Sequence, residues 1–245
     1  MKNILAHPAA VARFARSNVL LGFDYDGTLA PIVAAPAAAD MGERTGALLA
    51  EVARRYPCVV ISGRARADVR GRLYRARVRA TIGNHGVERR ATDAVAAEIR
   101  RWRPLLEERL AAFRGVVVED KRLSLAVHYR NGAAKARARA AILAAAAALG
   151  DARVFGGKQV VNLVPRWAPH KGAALERERE RLGCDTAVYI GDDVTDEDVF
   201  ALEHPDRLLA IRVGASVRSR APYYLPRQAD IDELLRRLIA LRGAG

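Results

Sequence analysis

Sulfur and aromatic carbon are scarce in this sequence. Its two cysteines, Cys58 and Cys184, form no spaced framework for disulfides or a thiolate metal site, so a reducing, cytoplasmic setting is expected. Aromatic residues make up only 6% of the chain, and no stretch interleaves them with basic residues as RNA-binding strands do. No apolar run approaches the roughly 20 residues that a membrane helix needs. The opening stretch, MKNILAHPAAVARFARS, carries Arg13 and Arg16 among alanines, as a transit peptide does, but has no continuous apolar segment. A short helix leading into the first strand is expected there, rather than a secretion signal.

Acid is in short supply as well. Asp and Glu number 28 against 41 Lys and Arg, a formal charge of +13. Nucleic-acid binding explains such an excess. So does a general abundance of arginine beside alanine, the mark of biased base composition. A field that attracts small anions fits the charge equally well, and a phosphorylated metabolite is the preferred expectation over nucleic acid. With 245 residues, 51% of them apolar, the chain is long enough for one large core or a core plus a smaller domain.

Short apolar runs are what the sequence does have, each breaking at a polar turn. VLLGF (19–23) stops at Asp24, CVVI (58–61) at Ser62-Gly63-Arg64, and AVYI (187–190) at Gly191-Asp192-Asp193. Continuous rather than alternating apolar runs predict strands buried on both faces, as in a parallel sheet covered by helices. Helical patterns at 45–56 and 170–183 precede two of these strands, LLAIRV (208–213) reads as another strand, and DIDELLRRLIALRG (230–243) reads as a last helix with Asp230 as N-cap and Gly243 as stop.

Residues 91–169 follow a different pattern. A helix is predicted from Thr92 to Phe113, then strands in GVVVED and RLSLAVHYR around a turn near Lys121. An alanine-rich helix (133–149) and a hairpin turning at Gly156-Gly157 complete the segment. Helix, strand, strand, twice over, is the order of an α+β unit with its helices on one face of an antiparallel sheet. The reading is therefore an α/β parallel-sheet core, 1–90 with 170–245, interrupted by an inserted α+β domain, 91–169.

In an open parallel sheet, ligands bind beyond the carboxyl ends of the strands. The residues that fall there are Asp24, Asp26, Ser62, Asp192 and Asp193. Asp24 and Asp26 stand one residue apart in GFDYDGTLAP, where two like charges need a cation, a proton or water to coexist. Carboxylates converging from separate strand ends form a hard-oxygen site suited to Mg²⁺. With the metal in place, one carboxylate can act as nucleophile and the other as acid and base. A lone DxDGT reads equally as a strand followed by an Asp-Gly turn.

DYDGT, SGR, HKG and GDDVTDE, in that order, resemble the four successive motifs of the haloacid dehalogenase superfamily of aspartate-nucleophile phosphatases. The insert resembles the larger (C2) cap type on a Rossmannoid core. GNHGVERR (83–90), EDKRLSLAVHYR (119–130), GGKQVVNLVPRWAPHKG (156–172) and YIGDDVTDEDVF (189–200) further resemble trehalose-6-phosphate phosphatases. That resemblance implies a Mg²⁺-dependent phosphoric monoester hydrolase. Asp24 would attack phosphorus, and Asp26 would protonate the leaving sugar oxygen and later deprotonate water. Asp24, the Asp26 carbonyl and Asp192 would hold Mg²⁺. Ser62 and Lys171 would grip the phosphoryl oxygens, and Thr28, Asp193 and Asp196 would support them. Arg64, Asn84, His85, Gly86, Glu119, Lys121, His128, Arg130, Lys158 and Asn162 would face the substrate as the cap closes over the core. A trehalose-6-phosphate synthase is the expected pathway partner.

In the cap, alternation places His128 and Arg130 on one face of strand 122–130, and Lys158, Val160 and Asn162 on one face of strand 158–164. The family usually has glutamate where this chain has Asn162. An uncharged amide loses the charge-assisted bonds of a carboxylate, each worth about 1.5–3 kcal/mol. A related glycosyl phosphate, glucosylglycerol phosphate or mannosylglycerate phosphate, is the alternative substrate. A basic nucleic-acid-binding or regulatory protein on an idle fold is the alternative class, although the chain keeps Asp24, Asp26 and Lys171.

Overall fold

A computed structural model describes residues 1–33, 38–73, 76–88, 92–157, 159–202, 204 and 206–243. The chain divides into two compact units, Met1–Gly86 with His170–Gly245, and Val87–Pro169.

In the first unit, β1 (Lys2–Asn3), α1 (Pro8–Ala15), β2 (Val19–Phe23), α2 (Glu43–Arg55), β3 (Cys58–Ile61), α3 (Arg66–Arg72) and β4 (Ala80–Ile82) precede the insertion. In the second, α4 (Thr92–Leu110), β5 (Val117–Asp120), β6 (Leu125–His128), α5 (Lys135–Ala147), β7 (Ala152–Gly157) and β8 (Val160–Pro165) follow in order. The chain then returns to the first unit with α6 (Lys171–Arg181), β9 (Thr186–Gly191), α7 (Glu197–Phe200), β10 (Leu208–Val213), β11 (Tyr223–Leu225) and α8 (Ile231–Arg242).

The first unit's sheet runs β1-β11-β10-β9-β2-β3-β4, with every pairing parallel. Its central strands β2 and β3 are apolar and buried at every position because both faces are covered. Val19, Leu21 and Phe23 of β2 enter a core shared with α1, α2 and α8, whereas Leu20 enters a second core with Ala174 and Leu175 of α6. Since β9, β2 and β3 are adjacent, their carboxyl ends bring Asp192, Asp24 and Ser62 to one edge of the sheet.

The second unit's sheet runs β5-β6-β8-β7 and is antiparallel throughout. Ile99, Trp102 and Leu106 of α4 and Ile142 of α5 pack with Leu125, Val127, Val161 and Leu163 of the strands. Pro104 lies inside α4, which continues to Leu110 and stops short of Phe113.

Several local readings need correction. The hairpin does not turn at Gly156-Gly157, because both are paired in the strand, with Val161 and Val160, and Gln159 takes the left-handed backbone (φ 61°). The strand β6 ends at His128, so Arg130 lies in the following turn and shares no strand face with it. Ser124 and Ala126, which alternation places on the same face as His128, are both buried. Asp230 makes no side-chain cap on α8; its carboxylate instead accepts the Arg227 N–H at 2.9 Å within a 3-10 turn. Gly243 ends that helix with φ 64°. The two-residue β1, too short to carry a periodicity, pairs with β11.

Leu106 is fully buried among these apolar side chains. Leu106→Ala is expected to destabilise the second unit by about 2–5 kcal/mol, read from urea unfolding followed by tryptophan fluorescence.

Candidate active site

Asp24 directly follows β2, and its N–H continues the sheet by donating to the Ile190 carbonyl at 2.8 Å. Its side chain is 5% exposed. One carboxylate oxygen accepts the Tyr25 N–H at 2.7 Å, and the other lies 3.1 Å from the Lys171 ammonium. Lys171 opens α6 and is itself 1% exposed. It also donates to Asp196 Oδ1 at 2.8 Å, an oxygen that accepts the Tyr189 hydroxyl at 2.7 Å as well. Asp196 Oδ2 accepts the Asp193 N–H at 2.9 Å, so both oxygens of this fully buried carboxylate are engaged.

Two glycines make this geometry possible. Gly27 (φ 76°) lies against Asp192, where an added Cβ would sit 2.1 Å from Oδ2. Gly86 (φ 106°) closes the 3-10 turn Asn84–Gly86, and a Cβ there would meet the His170 carbonyl carbon and oxygen at 2.6 Å. That turn thus packs directly on the residue preceding Lys171. It is tied to the β3 end by the His85 N–H to the Ser62 carbonyl (2.9 Å) and the Asn84 N–H to the Arg64 carbonyl (2.8 Å). Ser62 is fully buried, and its hydroxyl accepts the Arg64 N–H at 3.2 Å. Thr28 is also fully buried, with an Oγ1 that has no hydrogen-bond partner among the described residues.

The electrostatics follow from burial. Burial pushes the Asp24 carboxyl well above its usual range; Lys171 opposes this, and Asp196 and Asp192 add to it. Asp192 is pushed up to about 7 by burial and by the neighbouring Asp196 and Asp193. Burial works against the Lys171 ammonium, but Asp196 and Asp24 outweigh it and hold the group above the ordinary lysine range. Oxygens of Asp24, Asp192 and Asp196 lie within 4.8 Å of one another. Asp192 Oδ1 is buried with no hydrogen-bond partner among the described residues. One ammonium among three close carboxylates leaves negative charge uncompensated, and an all-oxygen donor set with an orphaned buried oxygen fits a hard divalent cation.

Asp26 points elsewhere. Its carboxylate is forked by Arg64, with Nε 2.6 Å from Oδ2 and Nη2 2.7 Å from Oδ1. Arg64, read as a substrate contact, thus has two of its arms on a carboxylate of its own unit. Tyr189, absent from the motif reading, completes the Asp196 environment; it sits inside an apolar strand, where sequence pattern marks it only as core.

In the second unit, His128 Nε2 and Glu119 Oε2 lie 2.7 Å apart, and Lys121 Nζ is 3.8 Å from the same oxygen. Strand register aligns Glu119, Ala126, Asn162 and Phe155 in one cross-strand row. Asn162 is half-buried. Arg130 is exposed, and Lys158 lies outside the described residues.

The central parallel strand that delivers Asp24 beside Lys171 puts the first unit in the haloacid dehalogenase class of folds, with an α+β insertion. A family model described as trehalose-phosphatase matches residues 22–228, and the chain belongs to that family. It is 39% identical to the trehalose-phosphate phosphatase of Mycolicibacterium paratuberculosis, over 73% of this chain and 49% of that protein. It is 30% identical to the probable trehalose-phosphate phosphatase 3 of Oryza sativa subsp. japonica, over 96% of this chain and 75% of that one. The chain spans about half the length of the mycobacterial phosphatases it matches. Among solved structures, the C-terminal domain of C. albicans trehalose-6-phosphate phosphatase shares the fold at a TM-score of 0.80 and 22% identity, over 98% of each chain. Among the described residues, no helix is long and apolar enough to cross a membrane.

The raised Asp192 fixes a pH dependence. Because its folded value lies above its unfolded one, the cation-free protein loses stability as pH climbs from about 4 towards about 7. A cation must displace that proton below about pH 7 and meets a bare carboxylate above it. Millimolar Mg²⁺ is therefore expected to raise the melting temperature more at about pH 8 than at about pH 6, and not at all in Asp192→Asn. Equal shifts at both pH values would show that Asp192 is not a ligand.

Proposed function

We propose that the chain is a Mg²⁺-dependent phosphatase that hydrolyses trehalose 6-phosphate to trehalose and phosphate through a phosphoaspartyl intermediate. The observation that carries this reading is the buried Asp24 carboxylate held 3.1 Å from the Lys171 ammonium, in a chain of the trehalose-phosphatase family.

In this reading an Asp24 oxygen attacks phosphorus, and the bond from phosphorus to the sugar oxygen breaks. Its electron pair leaves on that oxygen, which takes a proton from Asp26. Asp26 then accepts a proton from the water that cleaves the phosphoaspartate, which releases phosphate and restores Asp24. Lys171 and Ser62 grip the phosphoryl oxygens, and Lys171 also screens Asp24 against the incoming anion. Asp24, Asp192 and the Asp26 carbonyl would hold Mg²⁺, which would supply positive charge beside the phosphoryl group. Asp196 supports this site by fixing Lys171, Asp193 by its turn, and Thr28 through its unpartnered hydroxyl. Asn84, His85 and Gly86 line the same sheet edge. Glu119, Lys121, His128, Arg130 and Asn162 are assigned to the sugar, Glu119 already oriented by His128.

Asn162 favours a second reading of the sugar. Its half-buried amide makes no hydrogen bond among the described residues, so its donors and acceptor are open to a ligand different from one chosen by a carboxylate. Glucosylglycerol phosphate and mannosylglycerate phosphate are the alternatives.

Phosphate release by purified protein with Mg²⁺ separates these readings. Trehalose 6-phosphate is expected to lead over sucrose 6-phosphate, glucosylglycerol phosphate and mannosylglycerate phosphate. Chelation, or Asp24→Asn, is expected to lower the rate at least about 1,000-fold. No release from any ester by the wild-type protein would sink the phosphatase reading. A sharp rise in trehalose 6-phosphate turnover in Asn162→Glu would move the assignment to another sugar.

A further inference from the structure

The Arg64 fork on Asp26 is one link in a longer series of alternating charges, all within the first unit. The third arm of the guanidinium, Nη1, donates to Asp68 Oδ2 at 2.9 Å. The other oxygen of Asp68 accepts Arg72 Nε at 2.7 Å. Arg72 Nη1 then donates to Asp40 Oδ1 at 2.8 Å and to the Ala39 carbonyl at 3.0 Å. The series therefore runs Asp26–Arg64–Asp68–Arg72–Asp40, from the end of β2 across α3 to the segment that leads into α2.

Its far end comes back to the loop that carries Asp26. The Tyr25 hydroxyl donates to the same Ala39 carbonyl at 3.3 Å and accepts the Met41 N–H at 3.3 Å. The Arg64 guanidinium lies 5.8 Å from the centre of the Tyr25 ring. Both arginine side chains are largely covered, 13% and 15% exposed. Burial works against the Asp68 anion, and the hydrogen bonds from Arg64 and Arg72 carry its carboxyl below the usual range. An isolated surface ion pair contributes little, but a bidentate fork anchored on its third arm fixes the plane of the carboxylate it holds.

We propose that Asp68 and Arg72 are positioning residues for Asp26 that act through Arg64. The proposal rests on the phosphatase reading, in which Asp26 handles the leaving-group proton. Asp68 keeps the guanidinium from swinging to solvent, and Arg72 keeps Asp68 in place against the 38–41 segment. With Asp68 gone, Arg64 still meets Asp26 but no longer fixes its angle. The loss then falls on both proton transfers through Asp26, to the departing sugar alkoxide and from the water that cleaves the phosphoaspartate, and only the first is specific to a sugar ester. An aryl phosphate loses p-nitrophenolate, a stable anion that leaves without a proton, so its phosphoaspartate-forming step is spared.

The test compares kcat and KM for two esters in Asp68→Asn, Arg72→Lys and the conservative Asp68→Glu. One ester is p-nitrophenyl phosphate; the other is trehalose 6-phosphate, or whichever sugar phosphate the wild-type protein hydrolyses best. Asp68→Asn is expected to lower kcat for the sugar phosphate about 10- to 100-fold, with KM and the pre-steady-state rate of p-nitrophenolate release from the aryl ester changed by less than about twofold. Asp68→Glu restores part of the loss, and Arg72→Lys shows the same split more weakly. Melting temperatures identify a variant that does not fold, and Arg72→Lys then carries the comparison. Equal losses in the sugar-phosphate kcat and in the pre-steady-state p-nitrophenolate rate, or no loss in either, overturn the positioning role while the phosphatase reading stands. A wild-type protein that hydrolyses neither ester overturns that reading and this proposal with it.

Discussion

The ammonium of Lys171, held between Asp24 and Asp196 and almost wholly out of water, is the interaction on which the rest of this structure depends. A buried cation is tolerable only when its partners are fixed, since removing one leaves an uncompensated charge. The fold meets that demand with three elements. The strand β2 delivers Asp24, the turn after β9 delivers Asp196, and the 3-10 turn ending at Gly86 seats the start of α6. Tyr189 adds a hydroxyl to the Asp196 oxygen that Lys171 already uses, so the anion is held even as its share of the ammonium changes. The sequence of polar turns along one sheet edge is thus a set of anchors for a single charge.

Two aspartates one residue apart meet opposite surroundings, and in the proposed reaction this separates their roles. Asp24 is buried against Lys171 with its acidic neighbours raising its proton affinity. Asp26 is a third exposed and gripped by a guanidinium. A carboxylate held by a point charge beside a cation site is placed to attack an electrophile. One held by a planar fork at the rim is placed by angle, and angle is what proton transfer requires. Divergent environments for paired carboxylates are how a single site runs nucleophilic and acid–base chemistry side by side.

The sheet edge was legible because doubly buried strands read as unbroken apolar runs, and such a run announces its own end. Asp24, Ser62 and Asp192 could be placed from that alone. Lys171 came from the order of the motifs, since a lysine at a helix start reads by itself as a surface residue. The Arg64 fork was not legible, because an arginine beside a glycine turn can reach several partners, and the choice is made by where α3 packs. The spacing of Asp68 and Arg72, four residues apart, was a usable signal for part of the charge series, since residues so spaced share a helix face, whereas Arg64 stands before α3 begins. The hairpin misplaced at Gly156-Gly157 shows the opposite error. Glycine marks freedom to turn, yet pairing with Val160 and Val161 claimed both glycines for the strand and left the left-handed position to Gln159.

Every member of the charge network belongs to the first unit, whereas Glu119, His128 and Asn162 belong to the second. This division has a consequence for substrate choice in the proposed reaction. Groups that meet the sugar alone bind the ground state and the transition state alike, so a change there alters KM, whereas a change around Asp24 or Asp26 alters kcat. Asparagine at 162 is such a change: it removes a charge without touching a contact of Lys171, Asp192 or Arg64. The insertion can therefore drift towards a new sugar while the strand ends keep the same chemistry, which is how one phosphoryl-transfer site serves different esters.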